Sequence, residues 1–160
     1  MPSPVPSLSV VPVTDPAAAE LVAEYFAFRA RGWPDATTRY RPTQPDAAAF
    51  APPGGAFLLV RDEGGPAGCG GVRLLTPGRA EVKHLYLRER VRGRGWGRLL
   101  LAALEEHAAH LGAREVVLDT HASLGPAQGL YRSSGYREIA AYNDNPNATH
   151  WFGKALPADA

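Results

Sequence analysis

The sequence predicts an α/β (α+β) domain, a mixed central sheet of about seven strands with helices on both faces. Three observations predict it. Apolar runs at residues 56–61, 67–75 and 79–87 are separated only by Gly64-Gly65 and Pro77-Gly78, which reads as an antiparallel meander. Directly after it, Leu100, Leu104, Ala108 and Leu111 recur at three- and four-residue spacing, which marks an amphipathic helix. A short, largely apolar run at residues 115–120 follows, as a buried parallel strand would. Strand, helix and strand then form one right-handed crossover.

The elements follow in order. Pro2, Pro4 and Pro6 give an extended lead-in to a strand at residues 8–13. Asp15 caps a helix whose first position is Pro16. Leu21, Val22, Tyr25, Phe26 and Phe28 fall mostly on one face of that helix, and Gly32 and Pro34 stop it. Residues 33–53 are rich in proline, threonine and alanine, with one short helix expected at residues 46–50. A long irregular segment in a compact domain is often functional. In the second meander strand Gly68, Gly70 and Gly71 remove side chains, which would admit a ligand or another backbone. The helix that begins after Gly95 ends at Gly112, and another at residues 126–134 ends at Gly135. Two last strands fit residues 136–142 and 150–156. The order is β-α-α-β-β-β-α-β-α-β-β. No repeat or linker divides the 160 residues, which are expected to form one domain.

Composition narrows the function classes. A net charge of +1 argues against nucleic acid or an anionic membrane as the main partner. Cys69 is the only cysteine, so neither an internal disulfide nor a cysteine-based zinc site can form, which fits a reducing cytosol. The five histidines are scattered, and no metal site is expected. The N-terminal residues lack the basic start and apolar run of a signal peptide, and no apolar stretch approaches the roughly 20 residues that span a bilayer. A cytoplasmic location is the expectation.

The chemistry concentrates at Arg92-Gly93-Arg94-Gly95-Trp96-Gly97-Arg98, where a strand has ended and a helix begins. The first turn of a helix carries unpaired N–H groups and partial positive charge, and so attracts phosphate. Arg88, Arg90, Arg92, Arg94 and Arg98 surround the loop and could neutralise a polyphosphate. A P-loop would need Gly-Lys-Ser/Thr, which is absent, and the glycine spacing is Gly-x-Gly-x-Gly where a dinucleotide fingerprint needs Gly-x-Gly-x-x-Gly. The remaining pattern is Arg-x-x-Gly-x-Gly at Arg92, Gly95 and Gly97.

With this loop the sequence resembles the GNAT superfamily of N-acetyltransferases. The resemblance extends to the preceding strand and to Ala127-Gln128-Gly129-Leu130-Tyr131-Arg132-Ser133-Ser134-Gly135-Tyr136, similar to the family's Ala-x-x-Leu-Tyr-x-x-x-Gly-Phe/Tyr segment. It implies a GNAT-like sheet whose two central parallel strands splay apart, with the pantetheine arm of acetyl-CoA in the gap. The backbone at Leu85, Tyr86 and Leu87 would pair with that arm like an added strand. The pyrophosphate would sit on the N–H groups from Arg92 to Arg98. Tyr131 matches the tyrosine that can protonate the departing thiolate, and Glu81 the position of a base acting directly or through water. The structural alternatives are a paired carboxylate at Glu81 and a core aromatic at Tyr131. Strand alternation puts Glu81 and Leu85 on the same face and His84 on the opposite one. His84, Asp119 and His121 are the other base candidates. Leu124 stands where the family often has asparagine, so Ser123 is the expected substitute for that coenzyme contact.

The resemblance further implies that residues 28–40 and 142–151 wall the acceptor cleft, with Trp33, Arg39, Tyr40 and Arg41 at its mouth. The Asn- and Asp-rich second segment favours a turn over a binding role. Arginines near the cleft, against isolated carboxylates, hint at an acceptor with its own carboxylate; small-molecule amines and protein lysines stay open. Homodimerisation is common in the family. The competing function class is a non-catalytic acyl-CoA-binding sensor or regulatory module of the same fold.

Overall fold

A computed structural model describes residues 5–34 and 37–157 of the chain. Its seven strands form one sheet in the order β1-β2-β3-β4-β5-β7-β6. The strands are β1 (Ser7–Val10), β2 (Gly55–Asp62), β3 (Gly65–Thr76), β4 (Arg79–Leu87), β5 (Glu115–Thr120), β6 (Arg137–Ile139) and β7 (His150–Ala155). The helices are α1 (Pro16–Arg31), α2 (Trp96–His110) and α3 (Gly125–Ser133), with a 3₁₀ turn at Glu89–Val91 that the sequence reading lacked. None is long and apolar enough to cross a membrane.

The sheet separates two cores. Along β2, Ala56, Leu58 and Val60 face one core while Phe57 and Leu59 face the other. The first core is closed by α2, through Trp96, Leu100, Leu101, Leu104 and Ala108, and by Tyr131 of α3. The second is closed by Ala18, Leu21, Val22 and Phe26 of α1. Asp15 starts α1 as expected: its carboxylate accepts from the N–H groups of Ala17 and Ala18 at 3.0 and 3.1 Å. Of the β3 glycines, Gly68 admits backbone as expected, since a Cβ there would lie 2.6 Å from the Tyr86 carbonyl oxygen, while Gly70 and Gly71 admit side chains. A Cβ at Gly70 would lie 2.9 Å from Leu104, and one at Gly71 2.7 Å from Phe50.

Three elements depart most from the sequence reading. β1 ends at Val10, ahead of Pro12. Residues 46–50 are a single turn closed by Phe50 N–H on the Asp46 carbonyl (3.1 Å), hemmed by Pro45 and Pro52, and not a helix. β6 keeps only three residues of the expected seven, because the chain leaves the sheet and carries Tyr142 inward to Glu81.

The largest correction lies in β4. Its register with β3 slips between Tyr86, opposite Cys69, and Lys83, opposite Gly71. His84 takes up the extra residue as a bulge at φ 58, a left-handed conformation that costs about 1–2 kcal/mol in a residue with a Cβ. The bulge inverts the alternation. Before it Ala80 and Val82 face the α2 core; after it Leu85 and Leu87 do. Glu81 and Leu85 therefore lie on opposite faces, and His84 turns to the α1 side, against Tyr25, Phe26 and Phe50.

Candidate functional site

β4 and β5 pair in parallel only at Arg79–Glu115, Ala80–Val116 and Glu81–Val117, although both strands continue. Beyond Glu81 they splay, and a cavity of about 660 Å³ fills the opening. Residues 82–87 of β4 form one wall, α1 the second, and Ala127, Leu130 and Tyr131 of α3 the third. Leu85, Tyr86 and Leu87 thus lie at the cavity, along an edge of β4 that β5 does not pair.

At one end the 3₁₀ turn leads into the glycine loop. Gly93 (φ 78) and Gly95 (φ 81) adopt left-handed conformations, and Gly95 caps α2 without a side chain. The first-turn N–H groups of α2 ahead of Leu99 have no partner within the helix. Arg92 and Gly97 line the cavity; Gly93, Arg94 and Gly95 are exposed beside it. Arg92 stacks on Phe28 and donates to the Leu87 carbonyl at 2.9 Å, and Arg94 lies over Trp96. The Trp96 ring is buried in the α2 core, so only its backbone could meet a phosphate. Arg98 is turned to α3, bonding the carbonyl and hydroxyl of Ser133.

Tyr131 sits in the cavity wall with its ring packed on Tyr136 and Phe152. It is 7% exposed, yet its hydroxyl has no hydrogen bond among the described residues. Burial, with the nearby Tyr25 and Asp119, raises its pKa, so the phenol stays protonated. Ser123 also lines the cavity, its hydroxyl 2.8 Å from His121 Nδ1. The Ser123 N–H donates to the same nitrogen at 3.0 Å, which leaves His121 neutral with its proton on Nε2.

At the other end lies an ionic cluster. Glu81, 1% exposed, accepts from Arg73 Nε and Nη2 at 3.1 and 2.9 Å and from the Tyr142 hydroxyl at 2.5 Å. Lys83 Nζ is 3.6 Å from Glu81 and 3.0 Å from Asp119. Asp119 and Lys83 line the cavity; Glu81 does not. Asp119 is partly desolvated, but Lys83 and the amides of Asn143 and Asn145 outweigh that and lower its pKa. Asn143, Asn145 and Asn147 each also brace a backbone group, so this segment is a built turn as well as a wall.

Two features escaped the sequence reading. Asn147 clasps the Arg41 backbone in both directions, at 2.9 and 2.6 Å, and so ties the 143–147 turn to the chain that roofs the cavity. Arg29 lies 8% exposed in the wall beneath Tyr40. The neutral aromatic setting of His84 has a measurable outcome. Burial, assisted by Lys83 and Arg73, lowers its pKa from 6.5 to about 4. A histidine that resists protonation when folded stabilises fully above pH 6.5, and that contribution is lost as pH falls towards 4. Urea titrations of His84→Leu and wild type should diverge in this window, the wild type losing up to about 3 kcal/mol more.

A model of the acetyltransferase (GNAT) family matches residues 18–136. An uncharacterized N-acetyltransferase of Schizosaccharomyces pombe is 40% identical over 99 residues, which are 61% of this chain and 61% of that protein. The chain thus spans about three-fifths of the length of the curated relatives it matches. A Klebsiella pneumoniae crystal structure, named as an acyl-CoA N-acyltransferase, superposes with a TM-score of 0.79 at 26% identity, covering 95% of this chain and 98% of that one. A GNAT acetyltransferase from Elizabethkingia anophelis with acetyl-CoA bound gives 0.62 at 14% identity, over 94% and 98% of the two chains, a likeness of fold alone.

Proposed function

The chain belongs to the acetyltransferase (GNAT) family, and from that premise we propose that it moves the acetyl group of acetyl-CoA to a primary amine by direct attack in a ternary complex. The observation that carries this reading is the splayed end of β4 and β5. It offers a strand edge that β5 does not pair, in a cavity lined also by Gly97 of the glycine-rich helix start and by Tyr131. The glycine loop fits a pyrophosphate: a Cβ at Gly93 or Gly95 would meet no protein atom within 4 Å, so the space beside each is open. The first-turn N–H groups of α2 with Arg92 and Arg94 would hold the phosphates, and Leu85–Leu87 the amides of the arm. Acetyl-CoA supplies an activated acyl thioester and a thiolate leaving group.

The chain's own residues then manage protons. An amine is mostly protonated at neutral pH and must shed a proton before it attacks. Asp119 is the carboxylate of the ionic cluster that faces the cavity, and it accepts that proton directly or through water. Glu81 stands behind Lys83 and serves the same proton only through the cluster or through water. Tyr131, kept protonated by burial, donates to the departing thiolate.

Calorimetric titration with acetyl-CoA, followed by thiol detection across a panel of amines, tests the reading. Micromolar-range binding and amine-dependent thiol release are expected. Binding without release from any amine would instead indicate a sensor module, and no heat or thermal shift would sink the coenzyme site. Gly95→Val provides the structural control. A β-branched residue at φ 81 is strained, and its side chain fills the space beside the loop. Acetyl-CoA affinity should fall about tenfold to thirtyfold, as expected for the loss of one charge-assisted phosphate contact.

A further inference from the structure

We infer that Arg29 is a carboxylate-binding residue, and that the amine acceptor is a small molecule carrying its own carboxylate. This rests on the acetyl-transfer reading and specifies its substrate class. Arg29 lies in the last turn of α1 and is 8% exposed, with its side chain in the cavity wall. Its guanidinium is held rigidly. Nη1 donates to the Tyr25 hydroxyl at 3.1 Å, Nη2 donates to the Asn147 carbonyl at 3.3 Å, and the Tyr40 ring lies 4.9 Å away.

These partners are neutral. Two of the five guanidinium N–H groups are used, which leaves Nε and one proton on each terminal nitrogen. The other cations at this end of the cavity are compensated: Arg73 by Glu81, and Lys83 by Asp119. No carboxylate among the described residues pairs with Arg29. A buried, unpaired charge is costly, and a carboxylate ligand would offset that cost. One guanidinium balances one negative charge. That fits a carboxylate, met side-on by the fork of remaining donors, and leaves a phosphate dianion only half compensated.

The placement also suits an acceptor. Arg29 is bonded to the 143–147 turn, which carries the Asn143 and Asn145 contacts to Asp119. Its charge is close enough to contribute to the electrostatics of Tyr131 and His121, where burial is the dominant influence. An amino acid bound through Arg29 would thus have its amine within the same cavity as Asp119 and the Tyr131 hydroxyl.

The test uses CoA-loaded protein, so that acceptors bind without reacting. Melting temperatures are measured with each of the common α-amino acids and ω-amino acids, and with the matching amide of each. At least one acid should raise the melting temperature while its amide does not. As an acetyl acceptor that acid should show a KM at least about tenfold below its amide's. Arg29→Gln should abolish the difference and Arg29→Lys should retain part of it, with melting of the CoA-loaded variants alone as the folding control. Equal effects of acid and amide, or no effect of any acid, would overturn the inference. Failure of CoA to bind, read before any acid is added, would instead sink the proposed function.

Discussion

Tyr131→Phe is expected to lower kcat about 100-fold or more while acetyl-CoA affinity stays within about threefold. The ring is held between Tyr136 and Phe152, and phenylalanine preserves those contacts. The hydroxyl bonds nothing among the described residues, so its loss leaves no protein partner stranded. Stability should therefore change little, and a fall in kcat reports on the reaction itself. Buried tyrosines usually find a partner for the hydroxyl, and one left open to a cavity is available to a substrate. Stopped-flow or steady-state thiol release on the acceptor found by the amine panel would measure it. An unchanged kcat would show that the thiolate leaves without help from this phenol.

Glu81→Ala should act on the fold first. The substitution strips Arg73 and Tyr142 of their shared carboxylate and leaves Lys83 to Asp119 alone. Removing one partner of a buried pair costs about 3–5 kcal/mol. Here the Arg73 side chain is 34% exposed and can regain water, which places the cost nearer to about 2–3 kcal/mol. For a chain of this size that is about 5–10 °C in melting temperature, measurable by calorimetry. Glu81→Gln separates structure from chemistry. If Glu81 only holds the cluster together, kcat well below the melting temperature should stay near the wild-type value. If the amine proton reaches Glu81 through the cluster, kcat should fall by about tenfold or more.

Much of this architecture was legible because the sequence marks it redundantly. The β2–β3–β4 meander is bounded by Gly64-Gly65 and Pro77-Gly78, and α2 by Gly95 and Gly112, both with positive φ. The Arg92–Gly97 loop was readable for the same reason, since the role proposed for it depends on backbone, and glycine marks such a requirement. The β4 bulge was not. Nothing in Val82-Lys83-His84-Leu85-Tyr86 signals an extra residue, so regular alternation placed Glu81 and Leu85 on one face. Arg29 was missed because a basic residue near a helix C-terminus is ordinarily a solvated partner of the dipole. Its burial depends on Asn147 and Tyr40, which only the fold brings near.

The short β4–β5 ladder has a mechanical meaning. The sheet behaves as two plates: the meander β1–β4, and the group β5, β7 and β6, joined along a seam of three residue pairs. The seam is riveted at its closed end, where Arg79 bonds Glu115 at 2.6 Å and the N–H groups of Arg114 and Glu115 reach the Gly78 carbonyl. From there the plates diverge, with α2 packed beneath the meander plate. Bending compliance thus concentrates at the open end of the wedge, where the cavity lies, and a molecule spanning both plates would stiffen the hinge that admits it.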